Sequence, residues 1–159
     1  SGESFYGLDF GFNNPSALVE AKLKDNEIFL RECIYETHLT NSELIERMKQ
    51  YIFNPSAPIY ADCAEPQRIK EIYDTHQFNI KESDKSVKDG IDHVKRYKLH
   101  IHKDSVNLIK EFQGYKWKED KNGNILDEPV KFNDHALDAV RYGIFTHLKD
   151  KLTSNPLCW

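Results

Sequence analysis

The sequence predicts a mixed α/β fold, and three observations predict it. Strand-like runs open the chain in succession, short apolar runs then alternate with segments of helical period, and the last long segment begins as an amphipathic helix, "DHALDAVRY". "FYGLDFGF", "SALVEAKLK" and "EIFLRECIYE" are rich in apolar, aromatic and β-branched residues. Asp25-Asn26 between the second and third suits a tight hairpin turn, so three antiparallel strands come first. Thr40 followed by Glu43 has the form of a capping box, and Leu44, Ile45, Met48, Tyr51 and Ile52 then recur at helical spacing. "APIYAD" is a short strand, and Pro66 sits at the first turn of a helix carrying Ile69, Ile72 and Tyr73. "FNIKES" reads as a strand, "SVKDGIDHVKRY" as a helix and "KLHIHK" as a strand. Val106, Leu108, Ile109 and Phe112 mark the inner face of the helix that follows. "YKWKEDKNGNILDEPVKF" surrounds Asn122-Gly123 with aromatic and β-branched residues, which predicts an exposed hairpin before the final helix. In that helix Leu137, Val140, Ile144 and Leu148 are spaced to face the sheet.

Composition bounds the function. A chain of 159 residues can bury one sizeable core but not two ordinary ones, so residues 1–159 are expected to form a single domain with 1–4 and 150–159 as peripheral tails. No apolar run approaches the length that spans a bilayer, and "SGESFYGLDF" lacks the basic and apolar regions of a signal peptide. Cys33, Cys63 and Cys158 form no CxxC pair and leave one odd thiol, which argues against a disulfide framework or a cysteine zinc site and for a reducing, intracellular setting. The formal net charge of −4 offers no general attraction to nucleic acid, so any polyanion must be met by a local basic patch.

Three aspartates stand in awkward places. Asp9 falls inside a run expected to form a central strand, where a buried, unpaired carboxylate costs roughly several kcal/mol. Asp62 ends "PIYAD", at the carboxyl end of the next parallel-type strand, where ligand-binding groups of open α/β sheets collect. Asp138 comes from the final helix, which is expected to pack across both strands. Singly, each has a plain structural reading: Asp9 as a turn former before Gly11, Asp62 as a cap for the helix near Pro66, Asp138 as a solvated helix edge. Together they form a carboxylate cluster whose mutual repulsion calls for a cation, and an all-oxygen donor set suits Mg²⁺ or Mn²⁺ rather than zinc.

These residues carry a resemblance. "YGLDFGFNNPSALV", "IYADCAEPQRI", "KSVKDGIDHVKRYKLHIHKDSVNLIKEFQGYKWK" and "NDHALDAVRYGIF" together resemble the nuclease domain of the large terminase subunit of tailed bacteriophages, from Phe5 to about Leu148. The resemblance implies a ribonuclease H-like fold, in which a mixed sheet of five or more strands, the first three antiparallel, has helices on both faces and a β-hairpin before the C-terminal helix. It implies catalytic residues at Asp9, Asp62, Asp138 and His135, with the three aspartates binding two divalent metal ions. The activity implied is endonucleolytic cleavage of concatemeric double-stranded DNA with little sequence preference. His135 and Asp138, at i and i+3, share a helix face and can point into one site. Asp134 is either a further acid of the site or the cap of the final helix, and its position favours the cap.

A DNA contact is expected from Lys85, Lys88, Lys95 and Arg96 around "SVKDGIDHVKR" and from Lys116, Lys118 and Lys121 on the hairpin, all as sequence-independent phosphate contacts. His100 and His102 share a strand face but have no third ligand in view, so a pair satisfied at the sheet edge is preferred to a metal site. No GxxxxGK[ST] phosphate loop occurs, so the packaging ATPase that the family carries at its amino terminus is expected to lie outside this chain, as are the small terminase subunit and portal protein it works with. The isolated domain is expected to be a monomer in the host cytoplasm. Competing readings are a related resolvase or transposase, which prefers branched or end-specific DNA, and a non-catalytic module that docks the portal or small subunit. An actin-like ATPase also begins with an "LDFG"-like strand but needs two such domains.

Overall fold

The computed structural model describes residues 3–84, 96–114, 117–119, 121–129 and 134–153, with side chains placed outside 117–119, 125–129 and 150–153. Among these residues the chain forms strands β1 (Ser4–Asp9), β2 (Ser16–Lys24), β3 (Glu27–Glu36), β4 (Ile59–Ala61), β5 (Ile80–Glu82) and β6 (Lys98–Ile101) in one sheet, and β7 (Trp117–Glu119) with β8 (Ile125–Pro129) in a separate hairpin. Helices are α1 (Asn41–Lys49), α2 (Pro66–His76), α3 (Val106–Gly114) and α4 (His135–Thr153). The sheet order is β5-β4-β1-β2-β3-β6. β1, β2 and β3 are antiparallel neighbours, whereas β4 and β5 extend the sheet in parallel from β1, and β6 pairs in parallel with β3.

Local chemistry behaves as the sequence predicts at several points. Asp25 and Asn26 hold φ of 52° and 63°, the left-handed pair a two-residue hairpin turn requires. Thr40 and Glu43 close a reciprocal capping box on α1, and Pro66 opens α2. Gly123, at φ 80°, turns the β7–β8 hairpin. The segment read as a helix, "SVKDGIDHVKRY", lies outside the described residues up to position 95. Two apolar positions depart from expectation. Tyr73 and Val106 are 51% and 52% exposed, because the contact stripes of these short helices are narrow and close around Ile69 and Ile72 in α2 and around Leu108 and Glu111 in α3.

Two apolar layers cover the sheet. Tyr6, Leu8, Leu18 and Ile59 pack under α1 and α2, while Phe5, Ala17, Val19 and Tyr60 pack under α3 and α4. Strand alternation assigns Phe5, Gly7 and Asp9 to the α4 side. Between Leu18 and Val19 the β2–β3 register slips by one residue at Cys33. Such a slip exchanges the faces of the residues beyond it. Leu30 and Glu32 before the bulge, and Tyr35 after it, therefore all serve the α3 and α4 side.

Candidate active site

Helix α4 runs antiparallel over β1 along the ridge His135–Ala139–Gly143–His147. His135 faces Asp9, with Nδ1 3.6 Å from Oδ2, and the His147 ring stacks on Phe5 at a centroid distance of 4.1 Å. Between them the backbones nearly touch: a Cβ built on Gly7 would lie 1.6 Å from the Ala139 carbonyl oxygen, so only glycine allows this approach. The face against the sheet is thus centred on Ala136, Ala139, Gly143 and Ile144, and Leu137, expected to face the sheet, is only partly buried. Small residues decide the contact, and an apolar spacing pattern weighted toward large side chains does not reveal them.

This docking assembles the acids. Asp9 closes β1, buried to 7% exposure, and Asp62 follows directly on β4; its N–H donates to the Leu8 carbonyl at 3.2 Å, placing both carboxylates at one end of adjacent parallel strands. Asp62 Oδ1 also accepts from the Ala64 N–H at 2.9 Å, which shapes the turn into α2. Asp138, one helical turn beyond His135, accepts at Oδ1 from Arg141 Nη2 at 3.1 Å. Burial above all pushes the Asp9 carboxyl up to about 7; His135 opposes the rise, and the charges of Asp138 and Asp62 add to it. His135 is raised in turn, chiefly by Asp9. Tyr142 is raised by burial and then by Asp9, Asp138 and Asp62, a second group that senses all three acids.

The start of α4 is held by a residue the sequence did not single out. Glu111 of α3, 6% exposed, accepts the Leu137 N–H at 3.0 Å through Oε1 and the Tyr35 hydroxyl at 2.6 Å through Oε2. Glu111 therefore serves one amide of the first turn of α4 from the neighbouring helix, and Asp134 contributes its carbonyl to the Asp138 N–H at 2.7 Å. The same device recurs one step earlier, where Glu32 of β3 accepts the Leu108 N–H at 2.7 Å at the start of α3. A glutamate three residues after Leu108, inside an apolar helical stripe, was the available signal.

The donor set at Asp9, Asp62 and Asp138 fits a hard divalent cation. It is all oxygen, and it concentrates negative charge where burial already raises the proton affinity of Asp9. Among the described residues no three His, Cys, Asp or Glu side chains converge into a finished metal cage. The expected DNA contacts are less completely placed. Lys85, Lys88, Lys95 and Lys116 lie outside the described residues, Lys118 is placed only by its backbone in β7, and Arg96 and Lys121 are exposed. His100 has Nε2 3.0 Å from Glu27 and stacks on Phe29, while His102 accepts the Asp104 N–H at 3.2 Å, so each ring has its own surface partner.

Residues 9–145 match the model of the Terminase RNase H-like domain family. The chain belongs to that family. The terminase domain is 28% identical over 156 residues to the large terminase subunit of Bacillus phage SPP1, a match covering 90% of this chain and 36% of that protein. It thus spans about a third of the length of this curated relative. Among solved structures it superimposes on the large terminase nuclease domain of bacteriophage SPP1 with bound Mn, at a TM-score of 0.74 and 23% identity over 91% of this chain and 86% of that one. It also superimposes on the large terminase of a thermophilic bacteriophage in complex with ATP-γ-S, at a TM-score of 0.79 and 22% identity over 92% and 40% of the two chains. The mixed six-stranded sheet of the terminase domain, with its first three strands antiparallel, is the RNase H-like fold shared with these nuclease domains. No helix among its described residues is long and apolar enough to cross a membrane.

Proposed function

We propose that this terminase domain is a metal-dependent DNA endonuclease that cuts concatemeric double-stranded DNA with little sequence preference. The observation that carries the reading is the buried Asp9 carboxylate at the end of the central strand, facing His135 and influenced by Asp62 and Asp138. The bound Mn of the SPP1 nuclease domain supports the use of a divalent ion. Two such ions, Mg²⁺ or Mn²⁺, would when bound supply nucleophile activation and stabilisation of the leaving 3′ oxygen. Asp9, the most buried of the three acids, would hold the ions together with Asp62 and Asp138. His135, with its ring against Asp9, orients that carboxylate or the attacking water.

The acids suit this task because a bound cation relieves their repulsion in place of a proton, which couples ion binding to ionisation of Asp9. The same reading sets the domain in the host cytoplasm within a longer subunit. The ATP-γ-S complex of the thermophilic phage terminase supports a nucleotide-using part in such a subunit. The small terminase subunit and portal protein are its partners in this reading. Supercoiled plasmid is the direct test. Nicking or linearisation with Mn²⁺ or Mg²⁺, and protection by EDTA, is expected; equal cleavage in chelator removes the metal from the mechanism. Preference for four-way junctions over plain duplex transfers the domain to the resolvase class.

A further inference from the structure

The row that holds Asp9 and Asp62 continues one strand further, to a hydroxyl. Strand β5 pairs in parallel with β4, Ala61 opposite Glu82, and the Ser83 N–H donates to the Ala61 carbonyl at 2.8 Å, as the Asp62 N–H donates to the Leu8 carbonyl at 3.2 Å. Ser83 therefore follows β5 as Asp62 follows β4, and Asp9, Asp62 and Ser83 stand in one row across the carboxyl ends of three parallel strands. Alternation puts the three on the face under α4, because Tyr60, two residues before Asp62, packs in that layer and Ile80, three before Ser83, packs in the opposite one. The Asp84 N–H donates to Thr146 Oγ1 of α4 at 2.9 Å, so this end of β5 lies against the helix. Ser83 is 6% exposed, and its buried Oγ has no hydrogen-bond partner among the described residues. Ser16 and Ser105, also buried, are both served: Ser16 Oγ donates to the Gly11 carbonyl and accepts its N–H, and Ser105 Oγ accepts the Glu32 N–H at 2.9 Å. A buried hydroxyl without such a partner has given up its hydration with nothing in return.

We propose that Ser83 is a positioning residue of the proposed metal site, its hydroxyl oxygen accepting a hydrogen bond from the hydration shell of a divalent ion held by Asp62. The inference rests on the metal-dependent reading above. Adjacent strands lie about 4.8 Å apart, which sets the Ser83 backbone one strand from Asp62 and two from Asp9. A serine side chain is too short to ligate an ion lying between the two acids, whereas a water of the hydration shell can bridge the distance. Small hard ions held by one or two carboxylates keep several waters, and partners beyond the ligands fix such a shell in place.

The test is Mn²⁺ affinity of this chain, measured by calorimetry or by electron paramagnetic resonance of free Mn²⁺, in wild type, Ser83→Ala and Ser83→Cys, with melting temperatures taken in EDTA. Ser83→Ala is expected to weaken Mn²⁺ binding about 10-fold. Its melting temperature in EDTA should equal or exceed that of wild type, because a hydroxyl without a partner adds nothing to the ion-free fold. Ser83→Cys keeps a group of similar size whose sulfur accepts only weakly, and should lose affinity as Ser83→Ala does. Full affinity in Ser83→Cys overturns the inference, since the effect is then one of packing. A lower melting temperature of Ser83→Ala in EDTA overturns it too, because the hydroxyl then has a structural partner without the ion. A wild type that binds Mn²⁺ no better than Ser83→Ala overturns this inference alone. A wild type that binds no Mn²⁺ overturns the proposed function, and this inference with it.

Discussion

Asp9 concentrates the conflict between folding and chemistry. Burial pushes its carboxyl up to about 7 from its ordinary 3.8, so between those values the folded chain holds a proton that the unfolded chain has released. Stability then falls as pH rises through that window. His135, also raised, has its full stabilising effect below its ordinary value and loses it as pH rises through its folded value, so both groups act in the same direction. Without added metal, thermal melts should therefore show a lower Tm at pH 8 than at pH 6. Asp9→Asn should abolish plasmid cleavage, reduce that pH dependence and raise Tm at pH 8, each kcal/mol recovered appearing as about 2–4 °C. A variant that keeps the wild-type pH slope assigns the effect to other groups; one that still cuts DNA removes Asp9 from the mechanism. His135→Ala should lower the cleavage rate on the order of 10–100-fold without eliminating it. Full retention of rate makes His135 a structural partner of Asp9 only. The sequence marked Asp9 because an aspartate in an apolar strand is costly. His135 was named for the same site through the family resemblance, but its pairing with Asp9 was not legible, since the two lie far apart in the chain and meet only through packing.

Helix α4 is placed by two contacts of different kinds. Gly7 sets its depth, and Gly7→Ala forces a methyl group into the Ala139 carbonyl, where rigid backbone cannot yield. The expected cost is about 3 kcal/mol or more. Loss of Mn²⁺-induced stabilisation should accompany it, because His135 and Asp138 are displaced together; a variant melting like wild type shows that the helix has room to lift. Glu111 sets the start of α4. Tyr35→Phe removes one hydrogen bond and should cost about 0.5–1.5 kcal/mol, whereas Glu111→Ala also strands the Leu137 amide and should cost more, about 2–4 kcal/mol. Denaturant unfolding of the two variants and the double variant checks the order, and equal costs detach Glu111 from the cap. Periodicity located α1, α2, α3 and α4 because burial of a stripe leaves a repeat in the chain. It misjudged which residues of the stripes matter, naming Val106, Tyr73 and Leu137 where Glu111, Ala139 and Gly143 make the decisive contacts.

A domain of net charge −4 has no general attraction for a polyanion, so DNA binding would require a local basic patch. If Lys85, Lys88, Lys116, Lys118 and Lys121 contact phosphates, replacing them with glutamine should weaken DNA binding similarly for unrelated sequences. The salt dependence should flatten by nearly one unit per lost contact. Titrations over a range of salt concentrations measure this directly, and a loss confined to one sequence would indicate base readout instead. The family and fold were legible from the ordered set of motifs around Asp9, Asp62 and Asp138, since that order is tied to one strand sequence. The parallel pairing of β6 with β3 was not, because a strand's neighbour is chosen by non-local contacts.

What the sequence by itself determined are the features whose cause is local: the Asp25-Asn26 turn, the Thr40–Glu43 box, the proline that opens α2, the period of each helix, and the presence of acids where strands ought to be apolar. Each follows from the chemistry of residues a few positions apart. Tertiary structure alone decided that α4 runs antiparallel over β1, that the bulge at Cys33 turns Tyr35 toward Glu111, and that Arg141 pairs with Asp138. These contacts join segments 76 or more positions apart, or depend on which rotamer a crowded helix flank permits. Close packing selects among such arrangements by fractions of an ångström, and a pattern of residue types carries no distances.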